Sequence, residues 1–166
     1  LKCITFDKVR IRVICGAVEI SEGTFYNYFP CKLDMLIYAL TLKNLYRIWR
    51  IEHENKGQTG LARIDLFFEL VHEELRDRGF IYNLMSVCIS NISNIEKRKH
   101  IVISAMERKI AFPDCPGIEA IQLYMPDEFF RSTIFEAQRL GEISPTVKTE
   151  DLVVILKSFS KKIKSP

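Results

Sequence analysis

The chain has 166 residues, 48% of them hydrophobic, and a formal net charge of +3. That is enough for one good core or two small ones, and no apolar run approaches the ~18–20 residues needed to cross a bilayer, so no membrane association is expected. The five cysteines (Cys3, Cys15, Cys31, Cys88, Cys115) are odd in number, scattered and free of any Cys-x-x-Cys pair. This argues against a disulfide framework or a zinc site and for a reducing, cytoplasmic compartment, with no secretory signal expected at the start.

Taken in chain order, Ile11, Ile14, Cys15 and Val18 repeat at the spacing of a short amphipathic helix. Glu19-Ile20 breaks the period, and Ser21 is a good N-cap for a second helix because its hydroxyl accepts an orphan backbone N–H. On that helix Phe25 and Phe29 are expected inside, leaving Thr24, Tyr26, Asn27 and Tyr28 toward solvent. A face of small and hydrogen-bonding side chains suits a helix that enters a DNA major groove. Residues 1–53 carry eight Lys/Arg against five Asp/Glu, whereas residues 54–166 carry sixteen of each. The entire positive excess therefore sits at the end that would face phosphates.

A long helix is expected from Leu33 through Leu36, Leu40, Leu45, Ile48 and Trp49 to about His53. The polar run Glu54 to Gly60 then reads as a loop, which places a domain boundary between residues 1–53 and 54–166. Leu61 to Arg78 is amphipathic, with Leu61, Ile64, Phe68, Val71 and Leu75 on one stripe. Phe80 to about Ile92 reads as a buried helix. Ser93 and Glu96 form a capping box opening a further helix that ends before Pro113. After an irregular connection around Pro113, Pro116 and Gly117, two helices are expected over 127–140 and 150–163, with Gly141 ending the first and Thr149 capping the second. No strand pattern or repeat intervenes, so the fold class is all-α.

The segment Ser21-Glu-Gly-Thr-Phe-Tyr-Asn-Tyr-Phe-Pro-Cys-Lys32 closely resembles the DNA-binding signature of the tetracycline-repressor (TetR) family of bacterial regulators. A second, weaker resemblance covers Arg139 to Leu152, which looks like the junction between that family's last two helices; residues 54–138 carry no signature. The resemblance implies a helix-turn-helix DNA-binding domain followed by a larger helical ligand-binding and dimerisation domain. It also implies a further helix ahead of the motif, of which only the tail, around Leu1–Ile4, is expected in this sequence. Ser21, Gly23 and Thr24 would open the recognition helix, Tyr26 and Asn27 would contact bases or phosphates, and Tyr28 and Lys32 would clamp phosphates. Three positions depart from the pattern. Arg10 stands in place of a Ser or Thr cap and, with Arg12, is a candidate phosphate contact. Glu19 replaces the turn glycine, at about 1 kcal/mol if the position requires positive φ. Cys31 replaces a Ser cap; it is either a neutral replacement or a thiol made reactive by the helix N-terminus and Lys32.

The remaining half holds no catalytic constellation: its histidines are far apart, and there is no Gly-rich phosphate loop or nucleophile motif. Neither an enzymatic activity, a cofactor nor a metal site is expected. Most aromatics there read as core. The resemblance implies that some line a cavity for a small hydrophobic or aromatic ligand, with Phe67, Phe68, His72, Tyr82, Met85, Phe112 and Tyr124 as candidates. It likewise implies a homodimer through the last two helices, at Phe130, Ile134, Ala137, Leu152, Leu156, Phe159 and Ile163. The expected function is a cytoplasmic, nucleoid-associated transcriptional regulator, a repressor released from a palindromic double-stranded DNA operator by that ligand. The rivals are a DNA-binding protein of the same fold governed by a protein partner and, less favoured, a helical enzyme.

Overall fold

The computed structural model describes residues 8–54, 59–76, 102–124 and 126–162. Among these residues every regular element is helical: α1 (Ile11–Ala17), α2 (Glu22–Tyr28), α3 (Lys32–Glu54), α4 (Gly60–Arg76), α5 (Ala105–Ala111), a 3-10 turn (Ile118–Ala120), α6 (Pro126–Arg139) and α7 (Thr149–Lys162). The all-α expectation is met. The chain divides into two compact units, the first holding α1, α2 and α3 up to Lys43, the second holding α3 from Asn44, α4 and everything described from Ser104 onward.

Among the described residues of the first unit the buried side chains are Cys15, Phe25, Leu36 and Ile103. Phe25 packs on Phe29 and Phe29 on Tyr38, each with ring centroids 5.6 Å apart. Val18, counted in the apolar stripe of α1, is 57% exposed because the helix stops at Ala17 and Val18 already has φ −112°. α3 begins just after Cys31, whose backbone N–H donates to the Asp34 carboxylate at 3.0 Å. An acidic residue on the first turn thus satisfies an N–H that would otherwise lack a partner.

The second unit is built on α4, α6 and α7. Ile51, Ile64, Phe67, Leu70, Val71, Phe129, Phe130, Ile134 and Val153 form its main core. Phe67 meets Phe129 at 5.3 Å and Phe130 at 4.9 Å between centroids, geometries that add to area burial. Gly60 determines how α4 seats on α6. A Cβ there would lie 2.7 Å from the Thr133 carbonyl oxygen and 2.8 Å from Ala137. This close approach turns Ile64, Phe67 and Val71 inward and leaves Leu61 41% exposed, which corrects the expected stripe. Arg47 is buried between this core and Glu74, with its Nη2 2.8 Å from the Glu74 carboxylate and its guanidinium 5.1 Å from the Phe67 ring.

A smaller cluster of Leu45, Ile48, Ile118 and Ile121 is covered by Trp49, Phe112 and Tyr124. Along α3 the rings of Phe112, Tyr46, Trp49 and His53 stack in sequence at 5.3, 5.9 and 4.3 Å. Two boundaries differ from expectation. Residues 102–104 are not helical, and Ser104 with Glu107 forms a complete capping box that opens α5. One helix from Ser93 to Phe112 is therefore excluded; the Ser93 box itself lies outside the described residues. Thr149 is the first residue of α7 rather than its cap, and its hydroxyl donates to Gln138 at 3.1 Å.

Candidate nucleic-acid interface

The turn between α1 and α2 is closed by the backbone. Ile20 donates its N–H to the Cys15 carbonyl at 3.0 Å, and Glu19 between them has φ 56°, the only positive φ at a non-glycine residue among those described. This is the Schellman arrangement, in which the residue after the helix cap turns left-handed so that the next N–H reaches back to an orphan carbonyl. α6 ends the same way, with Gly141 at φ 78° and Glu142 donating to Ala137 at 2.9 Å. Glycine serves at one site and glutamate at the other.

Ser21 then caps α2 as expected, accepting from the Thr24 N–H at 3.0 Å. The Ser21 and Thr24 hydroxyls also bond each other at 2.9 Å, and Thr24 is half-buried. Thr24 thus stabilises the start of the helix more than it offers itself outward. Phe25, only 2% exposed, anchors α2 inward, with α1 packed against it. The side chains left at the surface are Glu22, Tyr26, Asn27 and Tyr28, the last 75% exposed. At Gly23 an added Cβ would meet only Ser21 Oγ, at 3.6 Å, so the backbone there is open to a close neighbour.

Arg10 and Arg12 are exposed, as is Lys8, which the sequence reading did not single out. Arg10 occupies the cap position of α1 without a side-chain capping bond. Lys32 is half-buried, and its Nζ donates to the Val9 carbonyl at 3.0 Å. One of its three donors thus ties the start of α3 to the segment ahead of α1, a structural role that periodicity does not reveal. The Glu19 and Glu22 carboxylates have no hydrogen-bond or ion-pair partner among the described residues.

The candidate ligand residues are dispersed. Phe67 belongs to the main core, with Phe68 packed against it. Phe68 and exposed His72 border a shallow groove of about 620 Å³ together with Asp65, Glu69 and Glu73. Tyr124 packs on both clusters and borders a second groove of about 770 Å³ that also contains Arg131, Phe135 and Glu150. Phe112 covers the smaller cluster, and Tyr82 and Met85 lie outside the described residues.

The expected dimer face requires correction. Phe130, Ile134 and Ala137 are at most 1% exposed within the single chain, because α6 turns them onto α4. Leu152 and Leu156 pack against the same core, while the Phe159 side chain and Ile163 lie outside the described set. Among the described side chains, the large apolar ones that α6 and α7 leave at the surface are Phe135, Val154 and Ile155.

Two short packed helices joined by a left-handed turn, the second with a polar outward face, constitute a helix-turn-helix unit within an all-α chain. In agreement, the chain is 25% identical over 150 residues to the HTH-type transcriptional regulator UidR of Escherichia coli K12, and equally to the UidR proteins of E. coli O157:H7 and Shigella flexneri. The alignment covers 87% of this chain and 63% of those relatives, so the chain spans less than two thirds of their length. No family model matches the chain, and no solved structure matches it significantly. The similarity supports DNA-binding transcription regulation. No helix among the described residues is long and apolar enough to cross a membrane.

Proposed function

We propose that the protein is a homodimeric transcriptional repressor of the TetR type, with residues 1–53 binding DNA and residues 54–166 binding ligand and forming the dimer. Two copies of the helix-turn-helix unit would hold the half-sites of a palindromic operator about one helical turn apart. The observation that carries the reading is α2 itself. It is capped by Ser21, anchored by Phe25, and outwardly polar through Tyr26, Asn27 and Tyr28, with Arg10 and Arg12 exposed nearby in sequence. A small hydrophobic or aromatic ligand would release the operator by binding better to the conformation that does not fit DNA. Exposed Phe135, Val154 and Ile155 on the last two helices support the dimer.

Sedimentation and fluorescence anisotropy with duplex DNA test this reading. A dimer is expected, with log K falling by ~5–7 per unit of log salt for three or four phosphate contacts per protomer. A monomer, or binding insensitive to salt, refutes it. A protein partner in place of the small ligand is the second reading. It is favoured by Met106 and Ile110, which stand four residues apart on α5 at 69% and 71% exposure.

A further inference from the structure

The outward surface of α2 combines three neutral hydrogen-bonding side chains with one charge, and that charge is negative. Glu22 is exposed and its carboxylate has no partner among the described residues. It lies one turn before Tyr26, so the two share a ridge beside the open backbone at Gly23. Thr24, the other candidate near the start of the helix, has its hydroxyl joined to Ser21. A carboxylate facing phosphates weakens attraction to DNA of any sequence. Ionised, it can only accept hydrogen bonds, and the major groove offers donors at just two places, the exocyclic amines of cytosine and adenine. Adenine places its own N7 acceptor beside its amine, where it repels a carboxylate; cytosine does not.

We infer that Glu22 is a specificity-determining residue, its carboxylate accepting a hydrogen bond from the N4 amine of a cytosine in each operator half-site. The inference rests on the DNA-binding reading above. Such a contact favours cytosine over the other bases at one position and leaves the rest of the site to Tyr26, Asn27 and backbone contacts.

The test is selection of binding sites from random duplex DNA by the unsubstituted protein, Glu22→Gln and Glu22→Ala, with circular dichroism to establish that both variants fold. The unsubstituted protein should select cytosine at one position per half-site, by roughly tenfold. Glu22→Gln should shift that position toward adenine, whose N6 and N7 match an amide, and Glu22→Ala should leave it nearly random, with the other positions unchanged in both. The same base frequencies in all three proteins, with only a uniform rise in affinity for the variants, would show a purely repulsive charge and overturn the inference. If the unsubstituted protein selects no DNA at all, the DNA-binding reading falls and the inference with it.

Discussion

The Ile20 N–H reaches the Cys15 carbonyl at 3.0 Å across a glutamate held at φ 56°. The left-handed backbone between them is cheap for glycine and costs an ordinary L-residue about 1–2 kcal/mol. Glu19 therefore holds the turn of the helix-turn-helix unit at some expense in stability. Glu19→Gly should raise the unfolding free energy by about 0.5–1 kcal/mol, the gain being reduced by the greater freedom of glycine in the unfolded chain. Glu19→Ala should change it little. Urea denaturation followed by circular dichroism distinguishes these outcomes, and a destabilised glycine variant would contradict the argument.

At Gly60 the sign should reverse. Alanine is favoured over glycine inside a helix by roughly 1 kcal/mol, but here its Cβ would press on the Thr133 carbonyl and Ala137 backbone at 2.7–2.8 Å. Overpacking of this kind costs about 1–3 kcal/mol. Gly60→Ala should lower the melting temperature, as scanning calorimetry would register; an unchanged or higher value would mean that α4 can shift on α6 without loss.

Lys32 and Tyr28 should differ in what their removal does. Tyr28 is largely exposed, so Tyr28→Phe should weaken binding to all DNA sequences alike and leave thermal stability unchanged. Lys32→Ala should also reduce the salt slope of binding by about one. It should in addition lower thermal stability, because it removes the bond to the Val9 carbonyl. Anisotropy titrations over a salt series, paired with melting curves, separate the two effects. A sequence-selective loss in either variant would assign it to base reading.

Burial divides the apolar residues of the last two helices into two classes. Phe130→Ala should destabilise the folded chain by about 3–5 kcal/mol through cavity formation. Phe135→Asp or Val154→Asp should leave melting of the protomer nearly unchanged and yield monomers in sedimentation. Dimers that survive both charged substitutions would place the interface elsewhere.

Arg131 and Glu150 form a surface pair with two contacts of 2.9 Å, joining α6 to the start of α7. The hydrogen bond from Arg131 holds the Glu150 carboxyl below its ordinary value of 4.5. A depressed acid contributes stability that is fully present above the unfolded value and is lost as pH falls through the folded one. The contribution of this pair should therefore fade only below about pH 4.5 and should be small, because both groups are exposed. NMR titration of the Glu150 carboxyl should return to the ordinary range in Arg131→Gln. A midpoint unmoved by that substitution would show that another group sets it.

Local signals carried most of the helix-turn-helix unit. Ser21 is a cap wherever a helix follows it, Phe25 is inward wherever Tyr26 and Asn27 are outward, and a chain-reversing turn after a short helix calls for a left-handed residue whatever its identity. Those are properties of a few consecutive residues, and the sequence by itself determined them, along with the all-α class, α6 and the place of Gly141. The spacing of apolar residues does not say which of two adjacent stripes meets a neighbour. Leu61 or Phe67 could each have faced inward on α4, and the close approach at Gly60 decided for Phe67. The same ambiguity put Phe130, Ile134 and Ala137 at a subunit interface, because an apolar helix face reads alike whether it packs within a chain or between chains. Only tertiary packing, by bringing α4 and α6 together, assigned that face to the protomer's own core and left Phe135, Val154 and Ile155 outside it. The bond from Lys32 to Val9, 23 residues apart, is likewise a product of the folded chain, since no local pattern specifies a contact between groups so far separated in sequence.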